Sequence, residues 1–296
     1  MTNTLLLARR NLTIYLRDKT GVFLSFLAAL ILLALYILFL QKMNIDGIQE
    51  ALEKRELPYV QADVAYYVNV WVFAGIVMVT TVTTGLGALV GYVDDRMTGR
   101  FTEFIVMPIR RWQIIGGYYL SCFVASFAMS SIVLFVGWGV VRVFEGRAPG
   151  IAAVGEAWGW VFLCAAGFSA LNCFLITLTA STGSFVTLST ITGTMIGFLA
   201  AAYIPELMIP TGVRNVINVL PFAQAAGLLR RALASDALVI VTGGDSGYTK
   251  TLRQSYGFDL YVGSHHIPDW LPPVVLVALI AVFGALAVAQ LRRRIK

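Results

Sequence analysis

The chain has 296 residues, 58% of them hydrophobic and 13% charged, with a mean hydropathy of +0.78. Soluble domains carry roughly 25% charged residues, so the composition excludes an ordinary soluble domain and points to an integral membrane protein. The net charge of +6 would suit a nucleic-acid partner only if the basic groups formed one patch, and they are instead divided among separated islands.

Six apolar runs of about 20 residues, the length that crosses a bilayer as a helix, lie between the islands: Val22–Leu40, Val68–Val93, Tyr118–Val141, Ala157–Ala180, Phe185–Ile204 and Leu271–Leu291. None contains Asp, Glu, Lys, Arg or His. A β-barrel is excluded, because its strands would be about 10 residues long and would alternate polar with apolar. With both termini cytoplasmic, the inner segments hold 12 of the 22 Lys and Arg but 4 of the 16 acids, leaving +8 inside and −2 outside. This is the positive-inside asymmetry. The charge is therefore a topology signal, membrane lipid is the partner it implies, and nucleic acid is set aside.

In chain order, Thr4–Thr20 precedes the first span. Leu5, Leu6, Ala8, Leu12, Tyr15 and Leu16 recur near helical spacing, with Arg9, Arg10, Arg17 and Lys19 on the other face. That pattern predicts a basic amphipathic helix at the membrane surface; the simpler reading is a positive flank that orients the first span. Four basic groups over about 20 residues, with no A-x-A-like cleavage site, make a longer lead than a signal peptide has. Gln41–Tyr67 carries both signs of charge and belongs outside.

The second span is rich in hydroxyls and glycine: Thr80, Thr81, Thr83, Thr84, Gly85, Gly87 and Gly91. Such residues permit close packing and hydrogen bonds between membrane helices, or line a polar path. After it comes an island, Asp94–Gly117, too charged for lipid yet carrying Phe101, Phe104, Ile105, Met107, Ile109, Trp112, Ile114 and Ile115. A charged segment with its own apolar face, held between two spans, points to a docking element for a partner outside the membrane.

The fourth span ends at a short inner turn, Ser181–Ser184. The fifth is again hydroxylated, with Thr187, Ser189, Thr190, Thr192 and Thr194, and contains Gly193-x-x-x-Gly197. Spans two and five are thus the candidates for a substrate path or an interface between subunits. Pro205–Trp270 is the longest outer segment. Pro205 and Pro210 interrupt helix by removing an amide donor and clashing with the preceding turn. Val213–Val219 and Phe222–Leu233, separated by Pro221, read as short helices dipping into the outer leaflet, with Arg230 and Arg231 ending the second at the interface. Thr242–Gly263 reads as an exposed loop. His265-His266, with no nearby Cys or H-x-x-x-H partner, reads as a solvated pair rather than a metal site. Cys122, Cys164 and Cys173 all fall in predicted spans, which excludes an exterior disulfide framework.

No GxxxxGK[ST] phosphate loop occurs, nor any serine-nucleophile, zinc-protease or dinucleotide pattern. No ionisable group interrupts a span, whereas ion-coupled carriers depend on one. Uphill movement of a cargo would then draw energy from another polypeptide, which matches a docking element at Asp94–Gly117.

These features together resemble the permease subunits of type-2 ABC exporters. The family's loop pattern is acidic residues, Gly-Thr-x-Glu, apolar residues, Pro, Arg, Ile and Gly. Here it reads Asp94-Asp95, Gly99-Arg100-Phe101-Thr102-Glu103, Phe104-Ile105-Val106-Met107-Pro108, Arg111, Ile114 and Gly117. The early Arg9-Arg10-Asn11 with Arg17-Asp18-Lys19 is similar to the family's opening, and Leu220-Pro221-Phe222-Ala223-Gln224 to its Asn-Pro signature. Arg100, Leu220 and Tyr118 stand where Thr, Asn and Lys are usual.

The resemblance implies an all-α integral membrane protein forming one transmembrane domain over 1–296. Six spans are joined by an N-terminal interfacial helix (1–21), a cytoplasmic coupling helix in 94–117, and an outer re-entrant hairpin and loop (205–270) containing Pro205, Pro210, Pro221 and Phe222. It also implies a plasma-membrane exporter half, paired with a second copy or a related permease, and two ABC ATPase subunits that bind ATP and Mg; this chain would hold no cofactor and have no catalysis of its own. Phe101, Phe104 and Ile105, spaced i, i+3, i+4, make one helical face suited to a groove on the ATPase. Met107 and Pro108 complete that segment, and Glu103, Arg110 and Arg111 form a charged rim. The competing readings are an intramembrane lipid-modifying enzyme, for which His265, His266 and Asp269 would be the constellation, and a non-transporting scaffold or immunity protein.

Overall fold

The computed structural model describes residues 3–101, 103, 109–179 and 181–294, without the side chains of 28, 32 and 292–294. Helix makes up 83% of the described residues, and the strands among them are one antiparallel pairing of Tyr261–Val262 with His265–His266. Among the described residues, six helices are long and apolar enough to cross a membrane: Ala29–Glu53, Gln61–Met97, Arg111–Glu145, Ile151–Leu178, Thr182–Leu199 and Leu271–Leu291. They overlie the six expected runs. Helix is the form these runs take because hydrocarbon offers no partner for a free amide or carbonyl, so each segment satisfies its own backbone.

In chain order, α1 (Asn3–Arg17) leads into α2 (Lys19–Leu35), a π-helical turn (Tyr36–Leu40) and α3 (Gln41–Glu53). The second span is α4 (Gln61–Gly87), prolonged by α5 (Val90–Met97); the third is α6 (Arg111–Glu145), the fourth α7 (Ile151–Leu178) and the fifth α8 (Thr182–Leu199). A 3-10 turn (Glu206–Met208), α9 (Thr211–Val219), α10 (Pro221–Thr242) and α11 (Ser246–Ser255) precede the last span, α12 (Leu271–Arg294).

The centre of the bundle is α4. Of its most apolar stretch 89% is buried, against 39% for α6 and 22% for α12, and it touches α2, α6, α7, α8 and α10. The hydroxyls expected there serve this packing. Thr80, Thr81, Thr83 and Thr84 are buried and donate back to the carbonyls of Ile76, Met78, Val79 and Thr80 at 2.6–3.3 Å. Neighbouring helices then bond to α4 carbonyls: Ser126 Oγ donates to Thr81 at 2.6 Å, Asn172 Nδ2 to Val82 at 3.0 Å and Cys122 Sγ to Gly85 at 3.1 Å. Such bonds within a membrane protein contribute about 0.6 kcal/mol each on average.

One reading is sharpened and two are corrected. The face of α1 that packs on the bundle is Leu7, Ala8, Asn11 and Tyr15, whereas Leu5, Leu6 and Leu16 are exposed. This helix is apolar on two sides, and the smaller, more inset side is the one α6 accepts: a Cβ on Gly117 would stand 2.6 Å from Leu7 Cβ. Second, α10 does not end at Arg230 and Arg231. Pro221 starts it, where a missing amide donor is harmless, and it continues through both arginines to Gly243, whose φ of 58° closes it. Third, residues 242–263 are not an exposed loop. Asp245 caps α11 by accepting from the Tyr248 amide at 2.6 Å, and Tyr248, Leu252, Tyr256, Phe258 and Leu260 are buried. The Trp71 indole donates to the Tyr256 carbonyl at 2.7 Å, and the Tyr67 ring meets those of Tyr256 and Phe258. This segment is a folded cap on α4.

Gly75 marks a close approach to backbone, which cannot swing aside, since a Cβ there would lie 2.8 Å from the Ala202 carbonyl oxygen. Replacing Gly75 with Val should destabilise the bundle by about 1–3 kcal/mol through overpacking. Gly91, which has nothing within 4 Å, should accept Ala with no loss. Thermal midpoints of the two variants in detergent, compared with the parent, check this.

Candidate functional site

The island after the second span is anchored by Asp95. Its side chain is 2% exposed, although its neighbour Asp94 faces solvent. Arg10 of α1 grips both carboxylate oxygens at 2.6 Å, and Tyr118 of α6 donates its hydroxyl to Oδ2 at 2.6 Å. Arg100 stands 3.8 Å away on the far side of Gly99. Gly99 has φ of +75°, a left-handed turn that glycine adopts without strain; it swings the chain back under Asp95. The hydrogen bond to Asp95 raises the Arg10 pKa above its ordinary value against the opposing effect of burial. Fork-to-carboxylate geometry of this kind gives direction as well as energy.

An aromatic cluster lies against the ion pair. The Phe101 ring stacks on Tyr118 at 6.3 Å and meets Tyr92 edge-on at 5.1 Å, and Tyr92 meets Tyr118 at 5.1 Å. Phe101 is thus turned into the subunit. Phe104, Ile105, Met107 and Pro108, expected on the same face, lie outside the described residues. Arg96 donates to the Thr179 carbonyl at the end of α7. Glu103, Arg110 and Arg111 are exposed, and the Arg110 amide is held by Gln113 Oε1 at 2.9 Å where α6 begins. One carboxylate and its neighbours therefore tie α1, α5, the following turn and α6 together, with Arg96 adding α7.

A family model described as ABC-2 type transporter matches residues 2–233. The chain belongs to this family. No curated protein matches it. As an ABC-2 membrane domain it is a multi-pass permease component of an ABC transporter, a kind of subunit that works with an ABC ATPase.

The two hydroxyl-rich spans of this ABC-2 permease touch, but their hydroxyls face different ways. Thr80, Thr81, Thr83 and Thr84 are inside the subunit, while Thr187, Thr190 and Thr194 are exposed on α8 and return their hydroxyls to the carbonyls of Gly183, Val186 and Thr190 at 2.9–3.0 Å. Gly193 is half-buried and Gly197 buried on the same helix. That exposed face of α8 is available to a neighbour. At the other end of the bundle Pro205 is buried, Pro210 exposed, and Pro221 and Phe222 half-buried, with Phe222 stacked on Phe168 at 5.4 Å.

Two residues escaped the sequence reading. Arg230 is fully buried, donates to the carbonyls of Ala200 and Ala201, and lies 5.0 Å above the Trp71 ring. Glu206 is 2% exposed and accepts from Asn218 Nδ2 at 3.0 Å. Burial pushes the Glu206 carboxyl up, against the pull of Arg230, and pushes the Arg230 guanidinium down to about 10. The available signal was an arginine flanked by Leu228, Leu229, Ala232 and Leu233. Its partner Arg231 points outward to Asp269.

His265 and His266 are exposed. Donor atoms of Asp259, His266 and Asp269 lie within 4.8 Å of one another, but Asp259 is held by Arg253 through two bonds of 2.7 Å and Asp269 by Arg231. Both carboxylates of the group are thus engaged in ion pairs that pin the cap.

Asp95→Asn should leave the Tyr118 bond and remove the charge that holds Arg10. A loss of about 1–3 kcal/mol is expected, the usual range for a hydrogen bond to a charged group. Faster amide exchange across residues 3–17 should report it. Arg10→Gln should do the same, and the double variant should cost less than the sum of the two. Unaltered protection in both single variants would mean that α1 is held by packing alone.

Proposed function

We propose that this permease is the membrane half of an ATP-driven exporter, moving a hydrophobic or amphipathic cargo outward by alternating access. In this reading both termini and residues 94–117 face the cytoplasm, residues 205–270 face outward, and 1–296 act as one transmembrane domain in the cell membrane. Two copies, or this chain with a related permease, enclose the path, with the exposed face of α8 at their contact. Two ATPase subunits dock below and hold ATP and Mg, and this chain holds neither.

The observation that carries the reading is the Asp95 cluster. A loop that takes up force from a partner is useful only if it cannot deform independently of the spans. The bonds from Asp95 to Arg10 and Tyr118 give the segment that rigidity. Because α5 prolongs α4 across a short break at Ala88 and Leu89, displacement of the loop is passed to the central helix of the bundle. The charge-free spans with buried hydroxyls suit an apolar cargo better than an ionic one.

Phe104, three residues beyond Phe101, is the residue expected to enter the ATPase groove. Loss of one buried aromatic anchor removes about 2 kcal/mol or more of binding, a weakening of roughly 30-fold. Phe104→Asp should therefore abolish cargo-stimulated ATP hydrolysis and transport in reconstituted vesicles, while insertion and thermal stability remain those of the parent. Transport at the parental rate in this variant would remove the docking role.

A further inference from the structure

Far from Asp95, a groove of about 610 Å³ opens between α2, α4 and α6. Its walls include Leu30 and Ile37 from the first span, Phe73 from α4, and Val136 and Val140 from α6. Leu30, Ile37, Val136 and Val140 are exposed at its open side, so the groove communicates with the bilayer. The volume is that of pockets that take a drug-sized ligand. The π-helical turn Tyr36–Leu40 shapes it: Tyr36 turns inward at 2% exposure while Leu38 and Phe39 point out at 72% and 70%. Single π turns recur at functional positions in helices.

One end of this apolar groove is polar. Gln41 Nε2 donates to Asn69 Oδ1 at 2.8 Å, and Asn69 Nδ2 donates to Glu145 Oε1 at 2.7 Å. The chain of amides has one direction because a carboxylate only accepts. Glu145 lines the groove and, among the described residues, forms no ion pair. The nearby Arg147 is drawn to Asp63 at 2.5 Å and covers the Tyr66 ring at 4.4 Å. A half-buried carboxylate with one oxygen committed to Asn69 thus sits at the rim of a hydrocarbon-lined space. That combination favours a cation with an apolar body, repels an anionic lipid, and gives a neutral one no added hold.

We infer that this groove is a binding site for a hydrophobic amine taken from the surrounding bilayer, its tail among the α2, α4 and α6 side chains and its ammonium on Glu145. The site stands apart from the exporter reading, since binding there requires no ATPase.

The test uses the full chain in phosphatidylcholine nanodiscs with three photoreactive probes sharing one sixteen-carbon chain and ending in a primary ammonium, an alcohol or a sulfate. The ammonium probe should label Ile37, Val136 and Val140 about tenfold more than the sulfate probe, the equivalent of roughly 1.4 kcal/mol. Glu145→Gln keeps an oxygen for Asn69 and should erase that preference while alcohol labelling stays constant. Val136→Trp, at an exposed position that tolerates bulk, should fill the groove and suppress ammonium and alcohol labelling together. Equal labelling by the three probes in the parent would overturn the proposal in favour of ordinary lipid filling, as would an ammonium preference that survives Glu145→Gln.

Discussion

A carboxylate shut away from water must have its charge and its lone pairs met by neighbours, and at Asp95 three separate elements meet them. The desolvation of one ion is of the order of several kcal/mol, so the fold at this end is constrained to keep Arg10 and Tyr118 in reach. This requirement fixes where α1 lies, how α5 turns out of the second span, and which side of α6 faces inward. Leu7, Ala8 and Asn11 then pack as a consequence of that placement, and the aromatic cluster of Tyr92, Phe101 and Tyr118 fills the space beside the ion pair. Glu103, Arg110 and Arg111 stay at the exposed edge of this arrangement.

The opposite end solves a related problem with different chemistry. Arg230 has its guanidinium on two carbonyl oxygens and an indole face rather than on a carboxylate at ion-pair distance. Carbonyls of the Ala200–Ala202 turn are free to accept because the fifth span ends there. A buried arginine thereby serves as the cap of a helix terminus. Glu206 and Asn218 complete the arrangement, and the cap of α11 and the aromatics around Tyr256 shield it.

The six spans were legible because hydropathy over about 20 residues answers directly to the thickness of hydrocarbon. Charge-free spans and the division of Arg and Lys were equally plain. What remained hidden depends on contacts distant in sequence. Asp95 follows Asp94 in a run of acids, and only the approach of Arg10, 85 positions earlier, tells the two apart. Arg230 and Arg231 form an unremarkable pair until helical rotation sends one inward and one to Asp269. The cap over residues 242–263 was obscured by its Gly, Asp and Ser content, although Tyr248, Tyr256 and Phe258 are too large and too apolar for a solvated loop. The two apolar sides of α1 could not be ranked without knowing that Gly117 leaves room for Leu7.

The helix α6 runs unbroken for 35 residues, a rod of about 50 Å at 1.5 Å per residue. Tyr118, near one end, belongs to the Asp95 cluster, and Glu145, at the other, belongs to the Gln41–Asn69 relay. Such a rod is stiff along its axis, so axial travel at one end is the travel of the other. Binding equilibria at the two ends that differ in helix position are then linked, and the linkage is reciprocal: each biases the other by the same free energy. Distance does not insulate the two ends of this subunit when one covalent element is a part of both.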